Sequence, residues 1–106
     1  GIVGKELIEQ MKPTSYLVNI ARAGLIDENA LLDALRECKI AGAALDVFEQ
    51  EPLPPEHPFC RLDNITLTPH IAGDTVDSIA LSPYTLAAAV TEYFETGNTR
   101  NVCNKI

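Results

Sequence analysis

At 106 residues the chain is long enough for about one small domain, and 46% hydrophobic with 22% charged residues is an ordinary globular composition. A net charge of −7, with Lys and Arg scattered, argues against a nucleic-acid groove, which needs a basic surface. No apolar run approaches the roughly 18 to 20 residues of a bilayer span, and three cysteines (Cys38, Cys60, Cys103) without CxxC spacing point to a reducing cytosol, not a disulfide framework.

The opening "GIVGKELIEQ" has neither a signal-peptide pattern nor an initiator methionine and reads as a chain entered partway through. "GKELIEQM" sets Leu7, Ile8 and Met11 on one helical face, and "KPTS" stops that helix. "YLVNI" (16–20) is a short continuous apolar strand, the kind expected where both sheet faces are covered. After the turn "ARAG", "DENALLDALREC" reads as a helix with Asp27 as N-cap and Leu31, Leu32 and Leu35 facing inward.

"AGAALDV" (41–47) is a second buried strand, whose glycine and alanines imply a close neighbour. "EQEPLPPEHPFCRLDN" carries too many prolines for a regular element, and "ITLTP" (65–69) is a third strand. A helix follows from Asp74 or Thr75, with a break or new start expected near Ser82-Pro83 and a stop at "TG" (96–97). The tail "NTRNVCNKI" has no periodicity.

Strands alternating with helices indicate α/β architecture: parallel βαβ units with right-handed crossovers, about half of a doubly wound sheet. Such sheets bind ligands outside the carboxyl ends of their strands. Those ends are "NIAR", "LDVFEQE" and "TPHIAG", so Arg22, Glu51 and His70 converge on one rim. Arg can fork onto a substrate carboxylate. His can exchange a proton with a hydroxyl or carbonyl oxygen, and Glu on the other imidazole nitrogen fixes the ring. With a nicotinamide carrying the hydride, the set suits interconversion of a 2-hydroxy acid and a 2-oxo acid.

Plainer readings stand beside these. Arg22 could bond loop carbonyls at the surface, Glu51 competes with Glu49 and Glu56, and His70 alone could be structural. Asp46 ends a buried strand and needs a partner. His57-x-x-Cys60 has a metal-ligand spacing but no second pair nearby. No cysteine has an evident base, and Gly1-x-x-Gly4 lacks the third glycine and preceding strand of a dinucleotide fingerprint. Ser82-Pro83-Tyr84 reads as a helix start, not a phosphosite.

The ordered set "MKPTSYLVNIARAGLIDENALLDAL", "AGAALDVFEQEPLP" and "DNITLTPHIAG" resembles the D-isomer-specific 2-hydroxyacid dehydrogenases, particularly their phosphoglycerate dehydrogenase and glyoxylate/hydroxypyruvate reductase branches. The resemblance runs from about Gly1 to Gly73. Ala23 stands where the family usually has glycine, and Asp74 where a small or hydroxyl residue is commoner.

The resemblance implies a catalytic set of Arg22, Glu51 and His70, with Glu51 preferred because the family's glutamate directly precedes the proline. Ile20, Ala21, Arg22, Asp46, His70, Ile71, Ala72 and Gly73 would line the nicotinamide end of NAD, with NADP left open. Asp46 would contact the carboxamide or a neighbouring ring position. No metal is implied.

In fold terms the resemblance implies the C-terminal half of a Rossmann-like NAD-binding domain (1–74), then a helix and tail returning to the substrate-binding domain (75–106). The glycine-rich phosphate loop and most of that second domain would lie upstream, in a cytoplasmic homodimer of about 300 residues or more per chain. A fragment of this length alone would be inactive. The competing reading is a non-catalytic NAD-sensing corepressor on the same scaffold.

Overall fold

The computed structural model describes residues 1–99; Cys103 and the end of the tail lie outside them. Six regular elements follow in order: α1 (Lys5–Glu9), β1 (Tyr16–Asn19), α2 (Glu28–Arg36), β2 (Gly42–Leu45), β3 (Ile65–Leu67) and α3 (Val76–Thr96). Short 3-10 turns occupy Ala23–Leu25 and Pro58–Arg61. The strands form one parallel sheet in the order β1-β2-β3. The chain divides into two compact units, Gly1–Ala72 and Gly73 onward.

In the first unit, α2 starts where Asp27 accepts the Ala30 amide at 3.0 Å, and Arg36 complements the dipole at its other end. Leu31, Ala34 and Leu35 turn inward and meet Ile8 of α1, Leu17 of β1 and Ala43 and Leu45 of β2. Two details of the expected helix faces change. Leu7 is exposed, because α1 is only five residues long and turns Ile8 alone fully inward. Leu32 is half-buried, and Ala34 takes its place against the sheet.

The core also holds Phe59, at 0% exposure, from the proline-rich connection that the sequence presents only as loop. A 3-10 turn begun by Pro58 drives the ring inward.

Within the first unit β1 is covered on one face. Leu17 and Asn19 point into the core, while Tyr16 is 73% and Val18 65% exposed. Successive strand residues face opposite ways, and α1 and α2 pack on the Leu17 side, so neither helix of the first unit covers Tyr16 and Val18.

Gly42 justifies the close neighbour anticipated on β2. A Cβ there would stand 2.7 Å from the Asn64 carbonyl oxygen, which is already fixed by the Ala43 amide at 3.0 Å. Gly42→Ala is therefore expected to destabilise the protein by about 1–3 kcal/mol, the range for overpacking against backbone, read as a lower urea midpoint.

In the second unit, Thr75 caps α3 by accepting the Ser78 amide at 3.1 Å, and Gly97 ends it at φ +71° with its N–H on the Tyr93 carbonyl. The expected break at Ser82-Pro83 is absent: α3 runs through Pro83. Proline's fixed φ suits a helix, and its main local loss is one backbone bond. The Ser82 hydroxyl meanwhile donates to the Ser78 carbonyl at 2.6 Å. Among the described residues no helix is long and apolar enough to cross a membrane.

Candidate active site

The first unit brings the carboxyl ends of its parallel strands to one rim, and each end is shaped by a polar side chain in an otherwise apolar run. At the end of β1, Asn19 is buried; its Oδ1 accepts the Ala21 amide at 3.1 Å and its Nδ2 donates to the Arg22 carbonyl at 2.9 Å. Asn19 thus moulds the turn through Ile20, Ala21 and Arg22. Sequence reasoning missed it, although one amide inside "YLVNI" is the kind of buried polar group that demands partners. Arg22 is exposed and extends one N–H to the Ala21 carbonyl at 2.6 Å.

Beyond β2 the chain enters the Val47–Pro52 loop, where Glu51 Oε1 accepts the Phe48 amide at 3.0 Å. Its other oxygen lies 2.7 Å from His70 Nδ1. Neither Glu49 nor Glu56 takes that place: Glu49 bonds through its backbone amide to Glu28 at 3.4 Å. A carboxylate only accepts hydrogen bonds, so the proton between Glu51 and His70 sits on Nδ1. His70 Nε2, with no protein partner among the described residues, is left for other chemistry. The pair is partly open, with side chains 44% and 37% exposed.

The His70 amide donates to the Thr68 carbonyl at 3.1 Å across Pro69, and His70 itself sits at φ +56°. That left-handed conformation is uncommon for a side-chain-bearing residue and needs outside support.

Asp46 supplies the support. It is 2% exposed, and Oδ1 accepts the Thr68 hydroxyl at 2.6 Å and the Ile71 amide at 2.9 Å, while Oδ2 accepts the Ala72 amide at 2.8 Å. The partner demanded by a carboxylate at the end of a buried strand is therefore the His70 loop. Burial works to raise the Asp46 pKa, but the Thr68 hydroxyl, the Ala72 and Ile71 amides and the His70 charge outweigh it, and the net direction is down. Gly73 opens the second unit.

Glu51 is likewise held below the usual carboxylate range, first by its bond to His70, then by the Phe48 amide, against a desolvation cost, with the charges of His70 and Arg22 assisting. Arg22 bonds to neither Glu51 nor His70, yet its charge reaches Glu51. A depressed folded pKa stabilises the fold above the unfolded value and loses that effect as pH falls through the folded one. The advantage in Tm of wild type over Glu51→Gln should accordingly be fully present above pH 4.5 and shrink as the pH drops below it. A Tm difference independent of pH would contradict the assignment.

A cavity of about 590 Å³ opens beside the pair, lined by Phe48, Leu53, Cys60 and Leu67 as well as Glu51 and His70. His57, the other histidine, is engaged elsewhere. Its Nδ1 accepts the Phe59 amide at 3.3 Å and its Nε2 faces Glu28 at 3.2 Å. Cys60 Sγ lies 3.8 Å from the Pro54 carbonyl. No cluster able to hold a metal occurs among the described residues, where Cys38 and Cys60 are free thiols.

Residues 1–72 match the family described as D-isomer specific 2-hydroxyacid dehydrogenase, NAD binding domain. A glyoxylate reductase of Thermofilum pendens is 53% identical over 77 residues, which cover 73% of this chain and 23% of that protein. A D-3-phosphoglycerate dehydrogenase of Archaeoglobus fulgidus is 49% identical over 75 residues, 71% of this chain and 14% of that one.

Among solved structures, an NADPH-dependent glyoxylate/hydroxypyruvate reductase from Sinorhizobium meliloti, in complex with NADP and malonate, superimposes with a TM-score of 0.77 at 34% identity. It covers 92% of this chain and 30% of that one. The chain thus spans less than a third of the length of these relatives. With the profile match extending over the whole unit that carries Arg22, Glu51 and His70, the chain belongs to the D-isomer specific 2-hydroxyacid dehydrogenase family.

Proposed function

We propose that the intact protein carrying these residues is an oxidoreductase that interconverts a small 2-hydroxy acid and its 2-oxo acid with NAD(H) or NADP(H). The observation that carries the reading is the 2.7 Å bond between Glu51 and His70 Nδ1, which leaves Nε2 open at the rim. Family membership and relatives named as glyoxylate reductase and phosphoglycerate dehydrogenase support it.

The residues present fit the nicotinamide end of a dinucleotide. Ile20 and Ile71 offer exposed apolar surface at the ends of β1 and β3, beside backbone turned by Asn19 and by Asp46. The segments assigned to that end are Ile20–Arg22 and His70–Ala72, with Gly73 next in sequence. Asp46 contributes through the two amides it holds. When bound, the nicotinamide supplies the hydride chemistry.

The chain's own residues do the rest. Arg22 binds the substrate carboxylate with the guanidinium N–H groups not used on Ala21 and polarises the neighbouring carbonyl. In reduction His70 delivers the Nε2 proton to the carbonyl oxygen and keeps the Nδ1 proton, which it donates in a hydrogen bond to Glu51; in oxidation the freed Nε2 lone pair takes the hydroxyl proton. Glu51 holds the ring in the tautomer that permits both directions. The same reading makes the protein a cytosolic homodimer, with residues 75–106 belonging to the substrate-binding domain; the odd number of cysteines, without CxxC spacing, supports the compartment.

The test is nicotinamide absorbance with NADH and NADPH across a panel of short 2-oxo acids, using the intact protein. Steady turnover with one or more is expected. Nucleotide binding without turnover on any would overturn the enzymatic reading in favour of a nucleotide-sensing one.

A further inference from the structure

Thr68 lies just past β3 and is exposed, so packing gives little reason for a particular residue there. Its polar groups are nevertheless all committed. Its amide donates to the Leu45 carbonyl at 3.0 Å, extending the pairing with β2. Its hydroxyl donates to Asp46 Oδ1 at 2.6 Å, and its carbonyl accepts the His70 amide at 3.1 Å. One residue therefore joins the sheet, the buried carboxylate and the histidine.

Its neighbour Pro69 has no N–H with which to share the work. His70 sits in a conformation that the backbone does not favour unaided, and the next two amides are held by the same Asp46 carboxylate. Asp46 Oδ1 divides its acceptance between the Thr68 hydroxyl and the Ile71 amide. Without the hydroxyl the carboxylate is free to pivot toward its remaining donors, and Ile71 and Ala72 move with it. The imidazole hangs from that turn at one end and meets Glu51 at the other. Because Glu51 is separately fixed by the Phe48 amide, a shift of the turn lengthens the 2.7 Å bond instead of carrying both partners together.

We propose that Thr68 is a positioning residue: through Asp46 and the His70 amide it sets the turn that aims the imidazole at its substrate. This deepens, and rests on, the assignment of His70 as the proton donor. Thr68 touches no reacting atom and acts only through its neighbours.

The experiment compares Thr68→Val, which keeps the shape and loses the hydroxyl, with Thr68→Ser, which keeps the hydroxyl, in the intact protein. For the valine variant kcat should fall by about tenfold, the scale expected from a sub-ångström misplacement, with KM for the nucleotide within about twofold of wild type. Amide exchange at Ile71 and Ala72 should quicken by about tenfold while the α2 core stays unchanged. The His70 Nδ1–H proton resonance should broaden away in the valine variant and persist in wild type and in the serine variant.

Wild-type kcat in Thr68→Val would overturn the proposal. So would a lost kcat with the resonance and the local exchange unchanged, or a loosening that spreads equally into α2, since that is stability alone. If wild type turns over no 2-oxo acid, the functional reading falls, and the resonance with the exchange still decides whether Thr68 holds the ring.

Discussion

His70→Ala in the intact protein is expected to lower kcat by at least about a hundredfold, the usual scale for a positioned general acid. The magnitude follows from what the side chain would do in each direction under the proposed function. Reduction creates an alkoxide unless a proton arrives as the carbonyl carbon gains its hydride, and oxidation requires the hydroxyl proton to leave. Nε2 is the free nitrogen of a ring whose other nitrogen is committed to Glu51, so one group serves both.

Nucleotide affinity should hold within a few-fold in this variant, because the Ile71 and Ala72 amides are fastened to Asp46 and not to the imidazole. Stopped-flow turnover together with fluorescence titration of NADH separates the two effects. Undiminished turnover in His70→Ala would remove the role assigned to the ring. Equal losses in turnover and in nucleotide affinity would instead mean that the turn had collapsed.

Much of this site is legible along the chain because parallel α/β order makes three sequence stretches into one rim. The ends of "NIAR", "LDVFEQE" and "TPHIAG" had to meet once the strands were recognised, and the structure does pair β1 with β2 and β2 with β3. Asp46 was legible as a carboxylate in need of a partner, but not which partner, since the Thr68 hydroxyl and two amides reach it from 22 to 26 residues away. Asn19 and Thr68 are harder to read for a related reason: an amide or a hydroxyl in a strand shows that it needs partners, but the Ala21 amide, the Arg22 carbonyl and the Asp46 carboxylate that meet them are fixed only by the fold.

Leu7 and Leu32 show the limit of periodicity. It marks an apolar stripe, whereas a five-residue helix or a small neighbour such as Ala34 decides which member of the stripe touches the core. The Pro83 expectation weighed one missing donor too heavily against a helix capped at both ends. The helices of the first unit leave Tyr16 and Val18 open, because a continuous apolar strand states what it wants covered and not what covers it.

Arg22→Gln is expected to cost about a hundredfold in kcat/KM for the 2-oxo acid, mainly through KM, with nucleotide KM little changed. Charge-assisted hydrogen bonds contribute about 1.5–3 kcal/mol each, and a carboxylate can take two from one guanidinium. The Ala21 carbonyl occupies only one of the five N–H donors, so the fork remains available. The backbone is already set, since the Arg22 carbonyl is held by Asn19 and the residue is extended at φ −146° and ψ 142°. Arg22→Lys should recover only part of the loss, because an ammonium is a point charge without the planar fork.

The same substitution carries an electrostatic signature that a purely steric role would not. Arg22 helps to depress the Glu51 pKa, so its removal lets that value rise toward the ordinary one. Glu51 would then take up its proton, and release His70 Nδ1, at a higher pH than in wild type. The acid limb of the kcat/KM profile in Arg22→Gln should accordingly move upward in pH. An unchanged KM for the acid, with the acid limb where wild type has it, would return Arg22 to the role of a surface residue bonding its own loop.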